Sequence, residues 1–87
     1  MRFMVIERYL QGPGPVYERV REGGRRLPPG VTFVDSWVDI ALDRCWQVMD
    51  ADGEEALREW MDAWRDLVAF EVVPVVSSQE AARRAPG

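Results

Sequence analysis

The sequence predicts an α+β sandwich of order strand, helix, strand, strand, helix, strand. Three observations carry that prediction. Val31–Asp50, VTFVDSWVDIALDRCWQVMD, alternates as two strands joined by a tight turn at Ile40-Ala41. Leu57, Trp60, Met61, Trp64, Leu67 and Val68 recur at the spacing of one helix face. Two further apolar runs, Arg2–Leu10 and Ala69–Ser77, end at clusters of Gly, Pro or Ser.

The first strand, Arg2 to Leu10, places Phe3, Val5, Glu7 and Tyr9 on one face and Met4, Ile6 and Arg8 on the other. Gln11-Gly-Pro-Gly-Pro stops it. Pro15 suits the first position of a helix, because its missing N–H is not needed there. That helix is expected over about 15–22, with Val16, Tyr17 and Val20 as its apolar stripe. Gly23-Gly24 closes it, and Arg25–Gly30 follows as a stiff loop from which Leu27 plugs the edge of the core.

The central strands are expected over Thr32–Asp39 and Leu42–Met49. In the first, Phe33, Asp35, Trp37 and Asp39 oppose Thr32, Val34, Ser36 and Val38. In the second, Asp43, Cys45, Gln47 and Met49 oppose Leu42, Arg44, Trp46 and Val48. Asp52 with Glu55 three residues on predicts a capping box for a helix over about 53–68. Pro74 cannot donate to a ladder, which predicts an edge position for the last strand or a bulge within it. Ser77 and Glu80 are expected to cap a short turn over 79–84, and residues 85–87 to fray.

This order is that of the ferredoxin-like fold: a four-stranded antiparallel sheet with both helices on one face. The whole chain, 1–87, is expected to form one domain, with 79–87 as its terminal turn and tail. The aliphatic sets suit helix cover. The open face is therefore expected to carry the mixed sets: Phe3, Val5, Glu7, Tyr9, Phe33, Asp35, Trp37, Asp43, Cys45, Gln47 and Met49, with Glu71, Val73 and Val75 from the last strand. So apolar a face needs cover, and a two-fold dimer with sheets face to face supplies it.

Composition narrows the chemistry. A chain of 87 residues buries only about 60–65% of its unfolded surface, so association helps it. Its formal charge of −4 repels phosphate backbones, and acidic groups interleave the aromatics of the expected open face; no nucleic-acid partner is predicted. There is no histidine, which removes a Ser-His-Asp triad, histidine-ligated zinc and proximal-histidine haem. All eleven basic residues are arginine, so a Schiff-base or phosphate-loop lysine is excluded. The single Cys45 permits no internal disulfide, as in a reducing cytosol. MRFMVIERYL lacks the pattern of a signal peptide, and no run is long enough to span a membrane, so a cytoplasmic protein without a membrane partner is expected.

The segments MVIE (Met4–Glu7), GRRLP (Gly24–Pro28), SW (Ser36-Trp37), RCWQVM (Arg44–Met49), WMDAWRDLV (Trp60–Val68) and FEVVPV (Phe70–Val75) resemble the domain-of-unknown-function family numbered thirty-three-oh-three. The resemblance covers nearly the whole chain. It implies the dimeric α/β-barrel superfamily, in which two ferredoxin-like protomers pair through their sheets. That superfamily includes cofactor-free monooxygenases, haem-degrading enzymes, muconolactone isomerase-like proteins and amino-acid-sensing modules. The resemblance implies fold and pairing, not an activity.

The candidate site gathers Glu7, Trp37, Gln47 and Glu71 on the open face, with Tyr9, Phe33 and Cys45 as further ligand contacts. Trp37, Phe33 and Tyr9 would form walls for a small, partly apolar molecule, and Glu7, Gln47 and Glu71 its polar contacts. A carboxylate desolvated beside Trp37 acquires a raised pKa, so Glu7 is the expected proton acceptor. Without cofactor or metal, the reaction class would be oxygenation or isomerisation. Against this stands a carboxylate at the sheet rim paired with Arg8 or Arg44, in a module whose open face serves only dimerisation or ligand sensing. Cys45 reads equally as a small buried hydrophobe. Trp46, Trp60 and Trp64 read as core. Arg25-Arg26 beside Gly23-Gly24 could fork onto a carboxylate or phosphate, or form a solvated helix exit.

Overall fold

A computed structural model describes residues 1–87. The elements are β1 (Arg2–Tyr9), α1 (Pro13–Gly23), β2 (Val31–Val38), β3 (Arg44–Ala51), α2 (Glu54–Asp62), β4 (Val68–Val75) and α3 (Ser78–Arg84). The four strands form one antiparallel sheet in the order β2-β3-β1-β4, the ferredoxin-like arrangement. β4 is an edge strand, which accommodates Pro74 opposite Phe3.

Both prolines of the Gly12–Pro15 segment fit in the first turn of α1, so this helix begins two residues earlier than Pro15 alone suggests. It ends at Gly24, whose φ of 64° lies where only glycine enters without steric cost and whose N–H reaches Val20 O at 2.7 Å. The expected capping box of α2 does not form. Gly53 is the N-cap, without a side-chain bond, and Glu54 and Glu55 complement the helix dipole instead. α2 is also shorter than its apolar stripe. After Asp62 the bonds tighten to three-residue spacing, Ala63 N–H to Trp60 O and Trp64 N–H to Met61 O, so Trp64 and Leu67 are buried from turns. The cap of α3 forms as expected, with Ser77 Oγ accepting from Glu80 N–H at 3.1 Å.

The hairpin between β2 and β3 is wider than a two-residue turn. Its ladder ends at Val38 opposite Cys45. The Asp39 carboxylate accepts the N–H groups of Asp43 and Arg44 at 2.8 and 3.0 Å, which holds its pKa below the usual range. Leu42 completes the turn at a φ of 57°.

The helices cover the opposite face from the one expected. Phe3, Val5 and Met49 are fully buried and form one core with Val16 of α1 and Leu57, Trp60 and Met61 of α2. Glu7, Tyr9, Cys45 and Gln47 share that face, so they lie beneath the helices. Alternation sorts residues into two sets without saying which set meets the helices, and both sets here contain apolar residues. Burial of polar Glu7 and Gln47 is possible because each is the other's hydrogen-bond partner. The outer face carries Met4, Ile6, Trp46, Val48 and Val73 instead, with Arg2 and Asp50 paired at one rim. Trp46, expected in the core, is therefore an outer residue, with the Arg44 guanidinium over its ring.

β2 adds a local reversal. Its register slips between Phe33 and Asp35, leaving Val34 as an extra residue. Phe33 opposes Met49 and packs on the core, whereas beyond the bulge Ser36 and Val38 face the helices and Trp37 faces outward opposite Trp46. Trp37 is thus on the open face as expected, and Phe33 is not.

Candidate functional site

A cavity of about 230 Å³ lies between the sheet and the helices. Its floor is Glu7 and Tyr9 of β1 with Cys45 and Gln47 of β3. α1 supplies Val16, Tyr17 and Val20 to the roof, and Trp60 and Trp64 supply the rest. Ser36 and Val38 close one side, and Arg25 reaches across the mouth. Arg19 ties the roof together. Its guanidinium donates to the Asp66 carboxylate at 2.8 and 2.7 Å and to Ala63 O at 3.0 Å, lowering the Asp66 pKa and lying 5.4 Å from the Trp64 ring.

Glu7 is 5% exposed. Burial pushes its pKa from an ordinary 4.5 up to about 7, against the opposing effects of the Gln47 hydrogen bond and the Arg25 charge. Gln47 Nε2 donates to Glu7 Oε2 at 2.5 Å, and Gln47 Oε1 accepts from Arg25 Nε at 3.4 Å. A polar line therefore runs from the guanidinium at the mouth through an amide to a carboxyl at the floor. A carboxyl titrating near 7 can both take and return a proton at neutral pH.

The neighbouring groups stay protonated. Burial and then the Glu7 charge raise the Cys45 thiol from 9.0 to about 11, so no thiolate nucleophile forms. Burial also raises the Tyr9 phenol, whose ring meets Tyr17 edge-on at 6.4 Å between centroids. No group of three or more His, Cys, Asp or Glu side chains could hold a metal ion.

Arg25 is held through its backbone. Its carbonyl accepts the indole N–H groups of both Trp60 and Trp64, at 2.9 and 3.1 Å. Its guanidinium lies 3.6 Å from the Phe33 ring centroid and donates to Ser36 Oγ at 3.3 Å.

Of the residues expected at the site, Glu7, Tyr9, Cys45 and Gln47 come together here, and Phe33 joins them through Arg25. Trp37 and Glu71 do not. Glu71 opposes Ile6 on the outer face, since it is Phe70 that stands beside Glu7. Arg8 and Arg44 also lie on the outer face, so neither pairs with Glu7. Tyr17, Val20, Trp60 and Trp64 read in sequence as ordinary core, because a helix stripe looks the same over a cavity as over packed side chains. The doubled glycine before Arg25 is the signal that the chain turns back there.

Fold and site together define a ferredoxin-like α+β domain with a half-enclosed acid pocket under its helices. The chain belongs to the family described as Domain of unknown function (DUF3303), whose model matches residues 1–86. No curated protein and no solved structure matches the chain. No helix is long and apolar enough to cross a membrane.

Proposed function

We propose that this protein binds a small, partly apolar molecule in the pocket between sheet and helices, with Glu7 as the group that takes a proton from it. The observation that supports this reading is a carboxyl buried at the floor of a cavity, with a pKa near 7 and an amide to orient it. The reaction class is one that opens with removal of a proton from carbon, as isomerisation and cofactor-independent oxygenation both do.

A screen of small aromatic and aliphatic compounds by protein NMR tests the pocket. Bound compounds are expected to move the resonances of Gln47, Tyr17 and the Trp64 indole. For a ligand that is a carbon acid, exchange of its C–H in heavy water should be accelerated by the protein and fall roughly 10²–10⁴-fold in Glu7→Gln. Compounds that move only Trp37 and Trp46 would place binding on the other face and overturn this reading.

The protein is further proposed to work as a cytoplasmic homodimer joined through the outer sheet face. Met4, Ile6, Trp46, Val48 and Val73 form a continuous apolar centre there, and Trp37 beside them is 56% exposed. A patch of that kind is covered most simply by a second copy of itself. Light scattering at micromolar concentration should give twice the chain mass. A strict monomer would sink the pairing and leave the pocket intact.

A further inference from the structure

Resting on the reading that the pocket takes a small molecule, we infer that its ligand is a monocarboxylate with a compact aromatic or branched aliphatic body. The carboxylate sits on the Arg25 guanidinium, and the body lies among Tyr17, Val20, Val38 and the two roof indoles.

Glu7 and Gln47 satisfy one another at the floor, and no buried side-chain nitrogen or oxygen lacks a partner. Tyr9 and Tyr17 bring hydroxyls to the cavity, but its one cationic donor is Arg25 at the mouth. Arg25 has two long bonds to neutral acceptors, 3.4 Å to Gln47 and 3.3 Å to Ser36, and forms no ion pair. Six other arginines do pair with carboxylates: Arg2, Arg19, Arg58, Arg65, Arg83 and Arg84. A guanidinium fork held over an aromatic ring, with its donors poorly used, matches a planar oxyanion that accepts two parallel bonds.

The charge count favours one negative charge over two. Arg25 is the only arginine lining the cavity, and Glu7 at the floor disfavours a dianion. Arg26 turns away, its side chain lying beside Gly23. Size sets the body. A cavity of about 230 Å³ falls below the roughly 300–1,000 Å³ that drug-sized ligands occupy, and most of its lining residues are hydrophobic.

Phenylacetate and its neutral isostere phenylacetamide test the assignment, titrated at neutral pH with the indole N–H signals as reporters. Phenylacetate should shift the Trp60 and Trp64 signals and leave those of Trp37 and Trp46 in place. Phenylacetamide should bind at least about tenfold more weakly, since it forfeits a charge-assisted pair. Arg25→Gln, which keeps the backbone carbonyl bonded to both indoles, should abolish the preference, and Arg25→Lys should retain part of it. Equal binding of acid and amide, or a preference that survives Arg25→Gln, overturns the monocarboxylate and leaves the pocket standing. Silence of both roof indoles toward both probes at millimolar concentration overturns the pocket as well.

Discussion

Between about pH 5 and pH 8 the protein should lose about 3 kcal/mol of stability, and Glu7→Gln should remove that slope. The sign follows from proton counting. Glu7 titrates at 4.5 when unfolded and at about 7 when folded. Within that window the folded chain holds the extra proton, so raising the pH favours unfolding. Each pH unit across the window is worth about 1.4 kcal/mol, which gives the figure. In a chain of this length it corresponds to a fall in Tm on the order of 10–20 °C. Little else competes in that range. There is no histidine. The carboxylates of Asp39, Asp50 and Asp66 are held below their ordinary 3.8 by hydrogen bonds, so their contributions are complete above that pH and are lost only as it falls further. The Cys45 thiol, raised from 9.0 to about 11, weakens the fold only above pH 9. Urea unfolding of both proteins at several pH values measures the effect. Parallel curves would show that Glu7 is ionised at no cost in the folded chain.

Phe3→Ala should cost about 3–5 kcal/mol, and the comparison with Ile6→Ala reads the state of the two sheet faces. Phe3 is 0% exposed and faces the helices between Met49 and Pro74. A domain of this size has only about 4–13 kcal/mol in total, so this one truncation takes a large share. Ile6 lies on the same strand but points outward, between Trp46 and Glu71. In an isolated chain Ile6→Ala should cost under about 1.5 kcal/mol, because part of its side chain already meets water. Covered by a second copy, it should cost more, and the unfolding midpoint should depend on protein concentration. Denaturant melts at two concentrations separate these cases. A cheap Phe3→Ala beside a costly Ile6→Ala would reverse the layering of the fold.

The architecture was legible because its signals are local. The breakers at Gly12–Pro15, the glycine pair ending α1, the stripe of α2 and the edge-strand Pro74 each act within a few residues. That Glu7, Tyr9, Cys45 and Gln47 share a face was legible as well, since alternation alone puts them there. Which face meets the helices was not. That choice depends on the joint packing of Phe3, Val5 and Met49 against Leu57 and Trp60, a comparison of two layers that no single strand records. Trp37 and Phe33 were assigned together because alternation assumes an unbroken ladder, and the extra Val34 separates them. Glu71 lies on the open face as expected but apart from Glu7, for a related reason. The register that sets Phe70 beside Glu7 is fixed between distant segments.

The loop bearing Arg25 is moored through its main chain, by two indoles that grip one carbonyl oxygen. Its side chain takes no part in that mooring. On the proposed reading of the pocket, mutation at position 25 would explore new cargo while the anchorage persists, and selectivity at the entrance would drift without the roof having to be rebuilt.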